Sequence, residues 1–286
     1  MSVVRAWVLN LAAEAELADP GATTLSGALK ARVTALRGRL GALVPEGDRV
    51  LGDPPEPCPG ALGRAWCPTP SALRVLRDAG AVVPPAPPWR VLREANHRAF
   101  CAELGQTLPG AVYATTEAEV LGAAGCGRWV LKRPLGYRGN GRRVLDGAPS
   151  EEDLRWVRAS LRGGDGLQVE PWVERLEDYA LHGFLSLDGV VTCGEPTRQV
   201  LDPSGAWVAS ERFCETFNHA ELQEFLTEFD RVGAALRGLG YHGPFGVDAF
   251  LWRDGAGVRR WNPRCEVNAR YTMGWAVGMG DRRPDL

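Results

Sequence analysis

The sequence predicts an α/β chain built in lobes, some alternating strand with helix and one dominated by antiparallel hairpins. Three stretches carry that expectation. Val3 to Leu11 (VVRAWVLNL) has the β-branched and apolar density of a buried strand and is followed by helical spacing. Trp129 to Val144 (WVLKRPLGYRGNGRRV) is an apolar run ending on a lysine, then a glycine loop, then an apolar return. Two later strand pairs turn at Asp188–Gly189 and Asp254–Gly255, dipeptides suited to tight hairpins.

Taken in order, helical spacing is expected from Leu25 to Leu40, and Arg49 to Pro70 reads as loop because proline and glycine crowd it. Ser71 is the expected N-cap of a helix from Ala72 to Ala79, closed by Gly80. AVVPPAPPW then gives a short strand and a stiff proline segment, which places a first domain at 1–90. No GxGxxG follows the first strand, so this lobe is not read as a dinucleotide site.

A second domain is expected at 91–167. It comprises a helix over Val91 to Leu104, a strand in LPGAVYATT, a helix over Thr116 to Ala124, and the glycine-loop hairpin. Its last helix starts at Ser150, where SEED forms a capping-box pattern, and ends at Gly163–Gly164. A third domain, 168–286, opens on the strand LQVEPW. It continues with the pairs Asp178–Leu187 and Val190–Cys193, a strand at Trp207–Arg212, and an amphipathic helix over His219–Leu239. A hairpin of Val247–Trp252 with Val258–Trp261 ends in an arginine- and acid-bearing segment.

Composition excludes several classes. The chain has 286 residues, 45% hydrophobic and 24% charged, ordinary for a globular protein with a sizeable core. A net charge of -2 argues against a nucleic-acid binder held through phosphates. No apolar run reaches the roughly 18 residues of a membrane span, and no signal-peptide pattern opens the chain. Seven cysteines, odd in number and without a CxxC pair, indicate neither a zinc site nor a disulfide framework, so a reducing cytoplasm is expected.

The chemistry concentrates on the glycine loop. Lysine occurs only at Lys30 and Lys132 among 33 basic residues. Lys132 ends a strand before Gly136, Gly139 and Gly141, whose backbone N–H groups can approach an anion, with Arg133, Arg138, Arg142 and Arg143 around them. That combination suits a polyphosphate. The bland alternative is a β-hairpin with a glycine turn and solvated arginines.

The order and spacing of these residues and those that follow resemble the ATP-grasp enzymes, over roughly Asn96 to the C-terminus. The resemblance implies an ATP-grasp fold with an N-terminal α/β lobe, a small lid lobe and a larger antiparallel-sheet C-terminal lobe. Lys132, Gly136, Arg138, Gly139 and Gly141 match the family's phosphate loop. About 35 to 40 residues on, QVEPWV matches its adenine-side strand, which implicates Glu170, Pro171, Trp172 and Val173. Glu177 falls where the family carries a ribose-binding acid, and Arg212 is the expected phosphate-contacting base. Asp248, Glu266 and Asn268 match its metal-binding aspartate and E-x-N segment. An alternative register would place Asn262, in NPR, at the metal. The family's first lysine appears here as Arg98.

What the resemblance implies is a ligase that uses ATP and Mg²⁺ to activate a carboxylate as an acyl-phosphate and joins it to an amine or thiol. Arg264 and Arg270 are the candidates for orienting substrate or acyl-phosphate. Hard oxygen donors suit Mg²⁺, and arginine suits carboxylate or phosphate through paired N–H groups, independently of any family. The expected partners are small-molecule or peptide acids and amines, with no nucleic acid and no membrane; dimers are common in such enzymes. A kinase sharing the nucleotide site, and a scaffold with a decayed site, are the rival readings. Cys265 is read as a structural thiol, since no histidine stands in a matching position.

Overall fold

The computed structural model of the protein describes residues 4–20, 36, 38, 40, 42–52, 54–125, 127–137, 140–202, 207–212 and 218–286. The predicted helix over Leu25–Leu40 falls almost wholly outside these residues, as do Arg138 and Gly139.

Three sheets organise the chain. The first is parallel, with order β2 (Arg49–Val50), β1 (Arg5–Val8), β3 (Leu62–Ala65). β2 and β3 correct the expectation of loop from Arg49 to Pro70. Prolines and glycines mask a four-residue strand, and Gly63 is there for close approach. A Cβ on it would lie 2.7 Å from the Val82 carbonyl oxygen and 2.9 Å from Leu76. Alternation along β1 splits its side chains between two cores. Ala6 and Val8 pack with Leu51 and Leu76, while Trp7 joins the main core of the molecule.

Two helices pack near this sheet, α1 (Ala13–Ala18) and α2 (Pro70–Asp78). The cap of α2 is Thr69 rather than Ser71, with Pro70 at the first helical position, where its missing N–H costs nothing. Ser71 instead donates its hydroxyl and backbone N–H to Glu16.

The predicted helix over Val91–Leu104 is two helices, α3 (Trp89–Ala95) and α4 (Arg98–Glu103), broken at Asn96–His97. His97 caps α4, its Nδ1 accepting from the Ala99 N–H at 3.2 Å. The break has a structural use. Asn96 exchanges hydrogen bonds with the Ala269 backbone, donating to its carbonyl at 3.2 Å and accepting from its N–H at 3.0 Å.

The second sheet is antiparallel, in the order β4 (Val112–Ala114), β7 (Leu167–Pro171), β5 (Arg128–Tyr137), β6 (Asn140–Asp146). Its helices, α5 (Glu117–Ala123) and α6 (Glu151–Leu161), both open with complete capping boxes, on Thr116 and Ser150. They close a small core around Val120, Leu131, Val157 and Val169.

The third sheet is antiparallel and larger. Its path runs β11 (Trp207–Arg212), β10 (Thr197–Leu201), β8 (Glu174–Leu185), β12 (Gly243–Arg253), β13 (Arg259–Asn268), with β9 (Val191–Cys193) also pairing with β8. β10 has no counterpart in the sequence reading. The long helix α7 (His219–Leu239), begun by an Asn218 capping box and stopped by Gly240 in the left-handed conformation, lays Phe225, Phe229, Val232 and Leu236 on the sheet. A final short helix, α8 (Trp275–Met279), packs Trp275 into the same core, its indole donating to the Gly183 carbonyl at 2.9 Å. Among the described residues no helix is long and apolar enough to cross a membrane.

Candidate active site

A cleft of about 1060 Å³ lies between the second and third sheets. Lys132 and Gly136 on β5 and Gly141 on β6 line it from one side, with Glu170 to Val173 at the end of β7. Asp248 on β12 and Glu266 and Asn268 on β13 line it from the other. The structure therefore gathers these predicted residues from segments over a hundred positions apart in sequence.

On the glycine-loop side, Lys132 Nζ reaches Glu170 Oε2 at 2.5 Å. The strand register explains the pair: Lys132 lies opposite Gln168 and Val130 opposite Glu170, so the two side chains are diagonal neighbours on one face. Gly141 has φ +85°, where an L side chain is strained, and a Cβ there would press on Arg133. Arg133 is held by Ser160, to which its Nε donates at 2.9 Å. Arg142 also lines the cleft. At the adjoining edge, Trp172 is 42% exposed and carries the Arg128 guanidinium over its ring at 4.1 Å.

On the opposite side, Asp248 and Glu266 are cross-strand partners. That relation depends on an irregularity. Phe250 pairs with Asn262, so Pro263, Arg264 and Cys265 together stand opposite the single residue Ala249. The extra residues bring Glu266 opposite the aspartate and carry Asn262 away from it. Asn262 is buried and lies outside the cleft.

The two carboxyls are driven apart in acidity. Burial, then repulsion from Glu266 and Asp178, pushes Asp248 up to about 7, against the pull of Arg270 and of the Asn268 amide. Glu266 goes the other way. Burial alone would raise it, but Arg98, Lys132 and Arg270 outweigh that and hold it below its ordinary value. Asp248 accepts only neutral amide donors, Gln199 Nε2 at 3.3 Å and Asn268 Nδ2 at 3.0 Å.

Arg98 stands where a lysine was expected and enters the site from α4. Its Nη2 is 2.9 Å from Glu266 Oε1, and its Nε donates to the Arg133 carbonyl at 3.1 Å. Burial opposes its charge, while Glu266 and Glu170 more than compensate, so its pKa stands above the ordinary value. Arg270 also lines the cleft. It forms an ion pair with Glu14 of α1 and donates to the Tyr271 carbonyl at 3.0 Å.

Three predicted residues are not brought to the cleft. Arg264 is 2% exposed and fully engaged elsewhere. Its Nε meets Glu228 at 2.9 Å, and its Nη atoms meet the carbonyls of Cys101 at 2.6 Å and Gly105 at 2.8 Å. It ties β13 to α4 and α7, which is a packing role. Glu177 points away because β8 presents Leu176, Asp178, Ala180 and His182 to the cleft; Glu177 accepts from Tyr179 instead and lies 3.9 Å from Arg198. Arg212 lies across α8, donating to the Val277 carbonyl at 2.9 Å, with Glu195 at 3.8 Å.

Other cleft residues went unpredicted: Asp178, Gln199, Arg175 and Phe250. Alternation along β8 was the signal available for Asp178, and TRQVL was the signal for the strand that brings Gln199. His182 is buried between Thr197 and Thr272, at 3.0 and 2.9 Å, and burial lowers its pKa to about 3, so it stays neutral. Cys265 borders the cleft, and burial raises its thiol pKa. It is no thiolate.

The donor set fits a hard cation. Two carboxylates and an amide converge, and the aspartate of the pair has its charge suppressed by burial and by the neighbouring Glu266. Among the described residues no group of three His, Cys, Asp or Glu side chains is placed to hold a metal.

A glycine-loop sheet and a carboxylate-bearing antiparallel sheet facing one another across a cleft define the class: the chain has the ATP-grasp fold. Similar solved structures include D-alanyl-alanine synthetase A from Vibrio cholerae, at TM-score 0.55 and 11% identity over 94% of this chain and 90% of that one. They also include carboxyaminoimidazole ribonucleotide synthase from Aspergillus clavatus complexed with ATP, at TM-score 0.52, 17% identity, and 95% and 72% coverage. Biotin carboxylase from Campylobacter jejuni is a third, at TM-score 0.53, 13% identity, and 96% and 67% coverage. In sequence the chain is similar to the [butirosin acyl-carrier protein]–L-glutamate ligase of Niallia circulans, at 27% identity over 208 residues, 66% of this chain. The chain spans 46% of the length of that relative. No family model matches.

Proposed function

We propose that the protein is an ATP- and Mg²⁺-dependent ligase that joins a carboxylate to an amine or thiol. The observation that carries this reading is the placing of Asp248 and Glu266 opposite each other, facing a wall that bears Lys132 and the glycine loop, with Arg98 joined to Glu266. One side can hold phosphates and the other a divalent cation. The names of the similar proteins, among them a ligase, a synthetase and a synthase, support the same class of reaction.

In this reading Lys132, Arg98 and the backbone of the Gly136–Gly141 loop hold the phosphates, joined by Arg138 and Gly139. Glu170 to Val173 flank the base. Asp178 takes the sugar-binding role expected of Glu177, because it is the acid that faces the cleft. Asp248, Glu266 and the Asn268 amide oxygen would hold Mg²⁺, which when bound offsets phosphate charge. A substrate carboxylate oxygen attacks the γ-phosphorus and ADP leaves. The amine or thiol then attacks the acyl carbon and phosphate departs. Arg270, anchored by Glu14, orients the acid through its guanidinium. The acid and amine are small molecules or peptides, and the reaction is cytoplasmic.

The test is to incubate the protein with MgATP, hydroxylamine and single carboxylic acids, L-glutamate first, reading ADP and hydroxamate together. Acid-dependent formation of both supports the ligase. ADP formed with a stable phosphorylated acceptor and no hydroxamate would replace it with a kinase.

A further inference from the structure

β8 faces the cleft through Leu176, Asp178, Ala180 and His182, a period of two that on its own turns Arg175 away. Arg175 nevertheless lines the cleft. The register explains it. Leu251 pairs with Glu177 and its neighbour Trp252 with Arg175, so Leu176 is one residue more than β12 supplies. A bulge at this point re-aims the arginine, as bulges beside active sites commonly do.

The re-aimed side chain is held in a particular way. Its guanidinium carbon lies 3.9 Å from the centroid of the Phe250 ring, a separation reached only over the ring face. Its Nη1 is 2.6 Å from Asp178 Oδ1. Phe250 beneath it is 1% exposed, whereas the Arg175 side chain is 38% exposed. The aromatic floor is therefore covered, and the surface offered to the cleft is the guanidinium itself. Asp178 balances its charge, which leaves a planar, weakly hydrated group near the end of β7 rather than an uncompensated cation for phosphate.

We propose that Arg175, clamped between Phe250 and Asp178, is the platform on which the nucleobase stacks. This rests on the nucleotide-binding reading of the cleft and adds to it a residue, a contact and a ligand group. A planar guanidinium stacks on any base, so Arg175 supplies affinity and leaves the choice of base to the edge contacts around Glu170 to Val173.

The test is calorimetric titration of AMP, ADP and ATP, each with Mg²⁺, into the wild type, Arg175→Ala and Arg175→Lys, with thermal melts to verify folding. Stacking predicts that all three nucleotides weaken by a similar factor, roughly tenfold, in both variants, because lysine keeps the charge and loses the plane. A loss that grows with phosphate number, retained binding in the lysine variant, or tighter binding in either variant overturns the proposal. If the wild type binds none of the three, the nucleotide reading itself fails, which is a separate outcome from a selective effect at Arg175.

Discussion

Asp248 and Glu266 stand directly opposite each other on β12 and β13, and their environments push their pKa values in opposite directions. Two adjacent carboxyls would ordinarily share the cost of repulsion. Here Arg98, Lys132 and Arg270 stabilise the charge on Glu266, whereas burial first, and repulsion from Glu266 second, suppress the ionisation of Asp248.

The sign of the consequence is fixed. The folded pKa of Asp248, about 7, stands above the value of about 3.9 for an unperturbed aspartate. Between those values the folded protein holds a proton that the unfolded chain gives up, so this group's contribution to stability falls as pH rises through the window. Asp248→Asn removes the group. The Tm advantage of the variant over wild type, measured without divalent cation, is expected to grow from pH 5 to pH 8. Added Mg²⁺ should raise the wild-type Tm at pH 8 and leave the variant nearly unchanged. Parallel pH profiles for the two proteins would show that Asp248 is not titrating there.

Arg264 is expected to matter for stability and not for ligand binding. Replacing it with alanine leaves two buried carbonyls without their donor and takes from Glu228 its buried arginine, with only the exposed Arg231 remaining at 3.2 Å, a loss of about 3 kcal/mol. Denaturant unfolding should register that loss, while MgATP affinity below the transition stays within a factor of about two. A large affinity loss with unchanged stability would restore it to the site.

Asn96 links α3 to the segment that follows the metal-side strand. Asn96→Ala leaves the Ala269 N–H and carbonyl without their partner, at a cost of about 1–3 kcal/mol. Because Ala269 follows Asn268, the loss should also weaken Mg²⁺-dependent nucleotide binding more than binding without metal. Equal weakening in both conditions would confine Asn96 to a structural role.

Much of this was legible in the chain. Elements with strong local signatures stand where periodicity and caps place them: α7 over His219–Leu239, β11 over Trp207–Arg212, the helix that opens after Thr116 and the capping box at Ser150. The short parallel strands β2 and β3 were hidden, because they take their partners from distant β1 and carry glycine and proline around them. In the cleft, identity was easier to read than direction. Lys132, Glu170, Asp248, Glu266 and Asn268 converge. Glu177 and Arg264 show the limit: one faces away by strand alternation, the other because three residues crowd opposite Ala249. Bulges reset the faces, and nothing in a single sequence marks where they fall.

The most direct test of the central claim is calorimetric titration of MgATP into the wild type, Lys132→Ala and Asp248→Asn. The account predicts a Kd on the order of micromolar for the wild type. Binding should be lost or strongly weakened in the lysine variant, and its metal dependence should be removed in the aspartate variant. Failure of the well-folded wild type to bind MgATP would contradict the account and leave a scaffold with the shape of the enzyme.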